Sequence, residues 1–589
     1  MPTQLKPSTP PPQQPGQAFG GSSATVDPAP QSEGIRDTIE AIIIAFILAF
    51  VFRAFVVEAF VIPTGSMAPG LYGQHVQSRC EACGYPFAWG LIEGIPLNHG
   101  RVRCPNCGWR DDARSPMARH SEPANIPESG DRILVLKWPY DIGGKTLGPH
   151  RWDVVVFKDP EDGDQNFIKR LLGLPGEVLE IIDGDIYTAP ISEVRQDIRE
   201  ALSEPPPLNN PHGKRLTDEQ EQALAKVLTI QRKTPVAQSS LWLIHYDHDY
   251  QPDPTVMHDV EACDPPVWRP REDGADSAWN ASTPLVRFDP RDDQERWLDL
   301  KGKPIQDNYG YNKELDIREL SPPRNVGDVR LQFVLFPRGN EGELILSLQK
   351  GADTFRARIN ADGEARLERS GTMDRTGEKS IGFRELRTAK VDPLRFDRPV
   401  TIEFENVDYR VALMIDGEEV VATTDAEYTP DIGKLLRTSQ NPDESRSGAH
   451  VAIGARKLPL EIRHLAVHRD VYYRSELFPK EASKRTKEIS PFAGYPAWGT
   501  EHNPILLRDD PPDYFCCGDN SPQSKDGRLW WEVCPALKAR QGHDRYQYGT
   551  VPGDQMIGRA FFVYWPSGIK FSAGTPAAIP NVGRMRIIR

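Results

Sequence analysis

The chain has 589 residues, with 71 Lys and Arg against 84 Asp and Glu and a formal net charge of −13; that balance excludes a general nucleic-acid binder, which needs a basic face. Hydrophobic residues make 38 % and charged residues 26 %, enough apolar matter for buried cores, so wholesale disorder is excluded and the length predicts about four domains. The 54 prolines, close to twice the ordinary ~5 % share, argue against an all-helical fold, and eight cysteines in so long a chain do not make a disulfide scaffold.

Residues 1–34 are rich in Pro, Gln, Ser and Gly and read as a disordered tail. Residues 35–60 are expected to form a membrane anchor. Ala41 to Phe52 is uncharged and mostly large and apolar; Arg53 follows, then Ala54 to Val57. With Arg53 snorkelling to an interface, the run reaches the lower limit of ~17 residues for a membrane helix. The alternative is a buried core helix. A cleaved secretory signal fits poorly, because the tail is acidic and Glu58 stands where small residues are expected. An uncleaved anchor is therefore predicted.

Directly after the anchor comes Pro63-Thr64-Gly65-Ser66-Met67-Ala68-Pro69. Glycine before Ser66 and proline three residues after it describe a tight turn able to present a hydroxyl. A serine needs an adjacent base to act as a nucleophile. No G-x-S-x-G elbow surrounds it and no histidine announces itself as partner. Lys169 is the better candidate, in the strand-like run Asn166 to Leu174 that a Pro175-Gly176 turn closes. An amine held among apolar neighbours loses hydration and its pKa falls, leaving a neutral base. A solvent-facing edge lysine is the bland alternative.

Four blocks in order resemble the bacterial type I signal peptidases, the membrane-bound Ser/Lys endopeptidases. They are Pro63 to Pro69, Gly130 to Val135, Ile168 to Glu177, and Gly518-Asp519-Asn520-Ser521-Pro522-Gln523-Ser524-Lys525-Asp526-Gly527-Arg528. The resemblance implies Ser66 as nucleophile, Lys169 as general base, and an oxyanion hole from the Ser66 N–H and the Thr64 hydroxyl. It implies that Ser524 hydrogen-bonds and orients the Lys169 amine, and that Asp519, Asp526 and Arg528 support the site. Ser521, Pro522, Gln523 and Gly527 depart from the family pattern, which puts the local salt bridges in doubt more than the catalytic pair. The family's fold is mostly antiparallel β with an apolar face on the bilayer, and it cleaves exported preproteins after Ala-x-Ala. No catalytic cofactor is implied.

The blocks leave two insertions. The first, residues 74–124, holds Cys80-x-x-Cys83 and Cys104-x-x-Cys107, each pair followed by glycine. The spacing matches a four-cysteine zinc pattern and resembles a zinc ribbon, a closed structural site. Two disulfides are the alternative, since the region is expected outside the cytoplasm. The second insertion begins with residues 191–325, which resist assignment; His245, Asp247, His248 and Asp249 cluster there, as a solvated loop rather than a metal site. Residues 326–475 alternate apolar and polar residues over Val329–Phe336, Leu344–Leu348, Phe355–Ile359, Thr401–Phe404 and Arg410–Ile415, with turns at Asp362-Gly363 and Asp416-Gly417. That indicates an antiparallel sandwich, resembling a concanavalin-like jelly roll. Cys534 could pair with Cys516 or Cys517, and Cys263 has no reading.

The expectation is a mainly β protein: a transmembrane helix, an antiparallel peptidase core in residues 61–73, 125–190 and 500–589, an inserted zinc ribbon and an inserted β-sandwich. By the resemblance it sits in the cytoplasmic (inner) membrane as a single-pass protein with its catalytic domain on the extracytoplasmic side. Its partners would be exported preproteins, membrane lipid, and a glycan or protein ligand of the sandwich, with no nucleic acid. The alternative is a degenerate peptidase core serving as a membrane-anchored glycan- or protein-binding scaffold.

Overall fold

The computed structural model describes residues 33–91, 100–112, 127–142, 144–204, 215–257, 265–272, 277–314, 323–371, 382–396, 398–439, 448–475, 497–541, 546–567 and 581–589. The expected tail lies outside these, apart from its last two residues, and so does Cys263. The chain is mainly β.

The N-terminal unit, up to Phe55, is a helix from Glu33 to Val51 that passes into a π-helical turn over Phe52–Val56. Its residues from Arg36 to Val56 are long and apolar enough to cross a membrane, and none is buried against protein. The anchor expected over residues 35–60, with its apolar run ending at Val57, stops short of that bound. Instead Val57 opens a strand, because Val57 to Val61 pair in register with Leu136 to Arg132 and ladder hydrogen bonds replace helical ones.

The remaining unit is built on an antiparallel sheet. Its strands are β1 (Val57–Val61), β2 (Arg132–Leu136), β3 (Val154–Lys158), β4 (Asn166–Gly173), β5 (Asp513–Cys517) and β6 (Met556–Trp565), in the spatial order β1-β2-β6-β3-β4-β5. β4 lies between β3 and β5, with Lys169 opposite Val155 and Arg170 opposite Cys517. Its last six residues are all buried. A central strand covered on both faces explains its near-continuous apolar run, with a Lys-Arg pair embedded in it. The turn after β1 is pinned by Ile62, Met67 and Leu71, which pack among Ile133, Val154, Val156 and Ile168. Apolar residues on both sides of Ser66 thus fix the turn and leave its hydroxyl over the sheet.

A second antiparallel sheet, in the order Thr229–Ile230, Asp185–Pro190, Glu177–Ile182, Ile505–Leu507, continues the core. Two small hairpins follow the Ser66 turn, His75–Arg79 with Pro86–Gly90 and Arg101–Arg103 with Arg110–Asp112.

The second insertion folds as two antiparallel sheets sharing one apolar core. Every strand expected from alternation is present: Val329–Pro337, Glu343–Lys350, Asp353–Asn360, Val400–Val407 and Arg410–Ile415. Val329–Pro337 buries every second residue, as period two requires. The stretch that resisted assignment also supplies strands to these sheets, among them Leu243–Asp247, Val267–Pro270, Val286–Phe288 and Arg296–Lys301.

Candidate active site

Lys169 Nζ lies 2.9 Å from Ser66 Oγ, and both side chains are buried. The amine also reaches the carbonyl of Ile168 at 3.2 Å and sits 4.9 Å over the Phe167 ring. Burial pushes its pKa down to about 8, against the pull of the Asp526 carboxylate, which raises it. The edge-lysine alternative is overturned: β3 and β5 cover β4 on both sides. Ser66 and Lys169 open into a cleft of about 730 Å³, whose wall includes Pro63, Thr64, Asp159, Tyr311, Asn520 and Gln523. Thr64 is exposed there. Among the described residues, no protein group accepts the Ser66 N–H.

The fourth block wraps behind this pair. Arg170, next to Lys169 and on the opposite face of β4, meets Asp519 with two parallel bonds of 2.8 Å. Arg528 grips Asp526 at 2.7 and 2.9 Å and also donates 2.8 Å to Ser521 Oγ. Burial alone would raise the Asp526 carboxyl, but the Arg528 guanidinium outweighs it and holds it below the ordinary carboxylate range. The unusual Ser521 therefore takes part in the network, and both ion pairs form despite the altered block.

Ser524 is a correction. It is buried close by, but no hydrogen bond joins its hydroxyl to Lys169, whose partners are Ser66 and Ile168. Ser524 Oγ has no partner at ordinary hydrogen-bond geometry, though it contributes to holding the Asp526 carboxyl low. Sequence reasoning missed Asn520 as a working residue: its backbone N–H donates 2.9 Å to Ser66 O and its Nδ2 donates 3.0 Å to Gly65 O. It stood inside the quoted block, with nothing local to give it a role.

The four cysteines of the first insertion converge. Cys80 Sγ lies 3.6 Å from Cys107 Sγ, and Cys83 Sγ 3.7 Å from Cys104 Sγ, with all four sulfurs within 4.8 Å of one another. A tetrahedral zinc with ~2.3 Å bonds to sulfur sets neighbouring sulfurs about 3.8 Å apart, so the donor set fits. A disulfide needs ~2.05 Å, and the cysteines are free. Gly84 and Gly108 close the two knuckles at φ of +72° and +75°, where a side chain would be strained. Cys516, Cys517 and Cys534 are also free, and Cys534 packs apart from the other two, against Leu537 and Tyr546. The His245 to Asp249 group neither converges nor forms the expected solvated loop: Leu243–Asp247 is a strand, His248 is buried with Nε2 3.1 Å from Thr283 O, and the Asp247 N–H donates 2.6 Å to Asn106 Oδ1.

Residues 116–250 and 412–565 match the family described as signal peptidase, peptidase S26. Lys169 and the fourth block fall inside the matched segments; Ser66 precedes them. The chain is similar to signal peptidase I of Rickettsia typhi, 30 % identical over 142 residues that make 24 % of this chain and 38 % of that protein. It is 28 % identical to signal peptidase I of Rickettsia felis over 159 residues, 27 % of this chain and 44 % of that one. The chain thus spans less than half the length of these curated relatives. Among solved structures, a carbohydrate-binding module of Bacillus subtilis aligns with 34 % of this chain and 94 % of its own at 8 % identity and a TM-score of 0.22. That score is too low to carry an argument about function.

Proposed function

We propose, for a chain whose core belongs to the signal peptidase S26 family, a membrane-anchored serine endopeptidase that removes signal peptides from exported preproteins. The observation that carries this reading is the buried Ser66–Lys169 contact of 2.9 Å, with the amine brought down to about 8. A lysine with an ordinary pKa is protonated at neutral pH and cannot accept a proton.

In this reading the neutral Lys169 amine takes the Ser66 proton as Oγ attacks the scissile carbonyl. Charge developing on the carbonyl oxygen is met by the Ser66 N–H and the Thr64 hydroxyl. As the tetrahedral species collapses, the C–N bond breaks and Lys169 returns the proton to the departing amine, leaving an ester on Ser66. Lys169 then takes a proton from water as its oxygen attacks the ester carbonyl; the bond to Ser66 Oγ breaks, Lys169 returns the proton to that oxygen, and the product acid leaves. The helix Glu33–Val51 and its π-helical extension serve as a single-pass anchor in the cytoplasmic membrane, with the catalytic unit on the extracytoplasmic side. Cleavage follows small residues in the Ala-x-Ala pattern. A scaffold without catalysis would have no use for a buried amine of lowered pKa against a serine.

The test is cleavage of an Ala-x-Ala preprotein in detergent by the wild-type chain and by Ser66→Ala. The wild type is expected to cut after the second alanine and the variant not to. Wild-type kcat/KM should rise with pH through about 8, because the neutral amine is the active form and it accumulates above that value. A wild-type chain that folds and does not cut, or a rate that falls across that range, would sink the reading.

Cys80, Cys83, Cys104 and Cys107 would hold one structural zinc, which ties the two knuckles together and leaves no open position for chemistry. Metal analysis should find one zinc per chain, lost in Cys104→Ser. Stripping it with a chelator should raise protease sensitivity around residues 74–110. Protein purified from zinc-replete cells without metal would remove this site.

A further inference from the structure

The stretch Tyr309–Glu314 belongs to the second insertion, yet it reaches the Ser66 turn. Tyr309 Oη donates 2.8 Å to Asp519 O. The Tyr311 ring stacks on Tyr72 with centroids 5.6 Å apart, and it lies so close to Gly65 that a Cβ there would come within 2.1 Å of it. Asn312 and Asn520 exchange two amide hydrogen bonds, of 2.8 and 2.7 Å. Glu314 fastens the far end of the stretch, through backbone bonds of 2.7 and 2.8 Å with Arg101 and an ion pair of 2.8 Å with Arg110.

The Gly65 carbonyl and the Ser66 N–H are opposite ends of one planar trans peptide unit and point in opposite directions. Whatever fixes Gly65 O therefore fixes the aim of the Ser66 N–H. Asn520 Nδ2 donates to Gly65 O in only one of its two amide orientations; flipped, its Oδ1 would face that carbonyl, acceptor against acceptor. Asn312 restrains the Asn520 side chain in that place. Its Oδ1 accepts from Asn520 Nδ2 and its Nδ2 donates to Asn520 Oδ1, so the paired amides hold Asn520 beside the turn while the Gly65 carbonyl selects the donating orientation.

We infer that Asn312 is a positioning residue for the oxyanion donor: acting through Asn520, it holds the Gly65–Ser66 peptide with its N–H aimed at the substrate carbonyl. The inserted segment then completes the active site in addition to enlarging the chain. This rests on the peptidase reading above. Asn312 has no hydrogen bond to Ser66 or Lys169, so its effect belongs to the transition state, where charge appears on the oxygen, and not to substrate affinity.

The experiment is steady-state cleavage of an Ala-x-Ala preprotein by the full chain in detergent, for wild type, Asn312→Ala, Asn520→Ala and the double variant, each with its melting midpoint. Removing an oxyanion donor outright costs about 10²–10³ in kcat; misaiming one should cost roughly tenfold or more. Asn312→Ala is expected to lose that much kcat with KM within about twofold, and to cost nothing further in the Asn520→Ala background, since the two act as one unit. Asn312→Asp, similar in shape, keeps the acceptor and loses the donor, so its loss should be smaller; it carries the same cycle if the alanine variant does not fold. A merely structural role would lower the melting midpoint and multiply with Asn520→Ala. Multiplying losses, or an Asn312→Ala kcat within twofold of an active wild type, would overturn the inference and leave the peptidase reading standing. An inactive, folded wild type would overturn both.

Discussion

Lys169→Met is expected to abolish peptidase turnover while leaving the chain folded and more stable than the wild type. Methionine fills a similar volume but carries no amine, so Ser66 loses the group that takes its proton; losses of about 10³-fold or more are ordinary when such a base is removed. The stability change follows from the same burial. The amine titrates near 8 in the fold and near 10.5 when exposed. Below pH 8 it is charged in both states and the folded chain bears the cost of a buried ammonium, about 3 kcal/mol from that difference. Between about 8 and 10.5 the unfolded state holds more protons than the folded one, so wild-type stability should climb with pH across that window and level off above it. The methionine variant should lack this climb and begin higher, offset in part by the lost contact to Ser66. Denaturant unfolding at pH 7 and pH 10 measures both. Retained turnover in the variant would remove Lys169 as the base, and a wild-type stability flat over the window would show an amine that is hydrated after all.

How much of this was legible depends on where each residue's reasons lie. Ser66 and Lys169 each sit in a local pattern, a glycine-proline turn and a charged pair within an apolar run, so both could be named as candidates. Their approach to 2.9 Å could not, because it is made by the packing of Ile62, Met67 and Leu71 against β2, β3 and β4. The same holds for the cysteines: spacing picked out the four, while their convergence to sulfur separations of 3.6 and 3.7 Å is made by the fold. In the sandwich, strands of eight or nine residues around a shared core carry period two and were readable. Val267–Pro270, Trp279–Asn280 and Val286–Phe288 are too short to show a period, and the charges around them are used in pairs such as Arg271–Asp299. Asn312 and Asn520 lie 208 positions apart and meet only through the fold. Ser524 lies buried beside the site as its block places it, but its expected bond to the Lys169 amine is not formed, since side-chain orientation is set by packing that the block does not contain.

The second large effect is expected from Asp519→Ala. Arg170 is 2 % exposed, and its guanidinium spends two nitrogens on Asp519 and the third on the Trp152 carbonyl and the backbone oxygen of Arg589. It cannot lose its proton to escape burial. Removing the carboxylate leaves an unpaired charge between β4 and the fourth block, a change that costs about 3–5 kcal/mol in comparable buried pairs. Asp519→Asn keeps the shape and one oxygen acceptor, so it should cost less. Replacing Arg170 and Asp519 together by leucine should recover part of the loss, since the expense lies in the stranded charge more than in the missing bond. Because Arg170 follows Lys169 on the same strand and Asp519 precedes Asn520, the alanine variant should also lose activity through both the base and the Ser66 turn. Urea unfolding of the three variants reads the stability order. An Asp519→Ala chain as stable as the wild type would mean that Arg170 finds solvent or another anion, and that the altered fourth block does not brace the dyad.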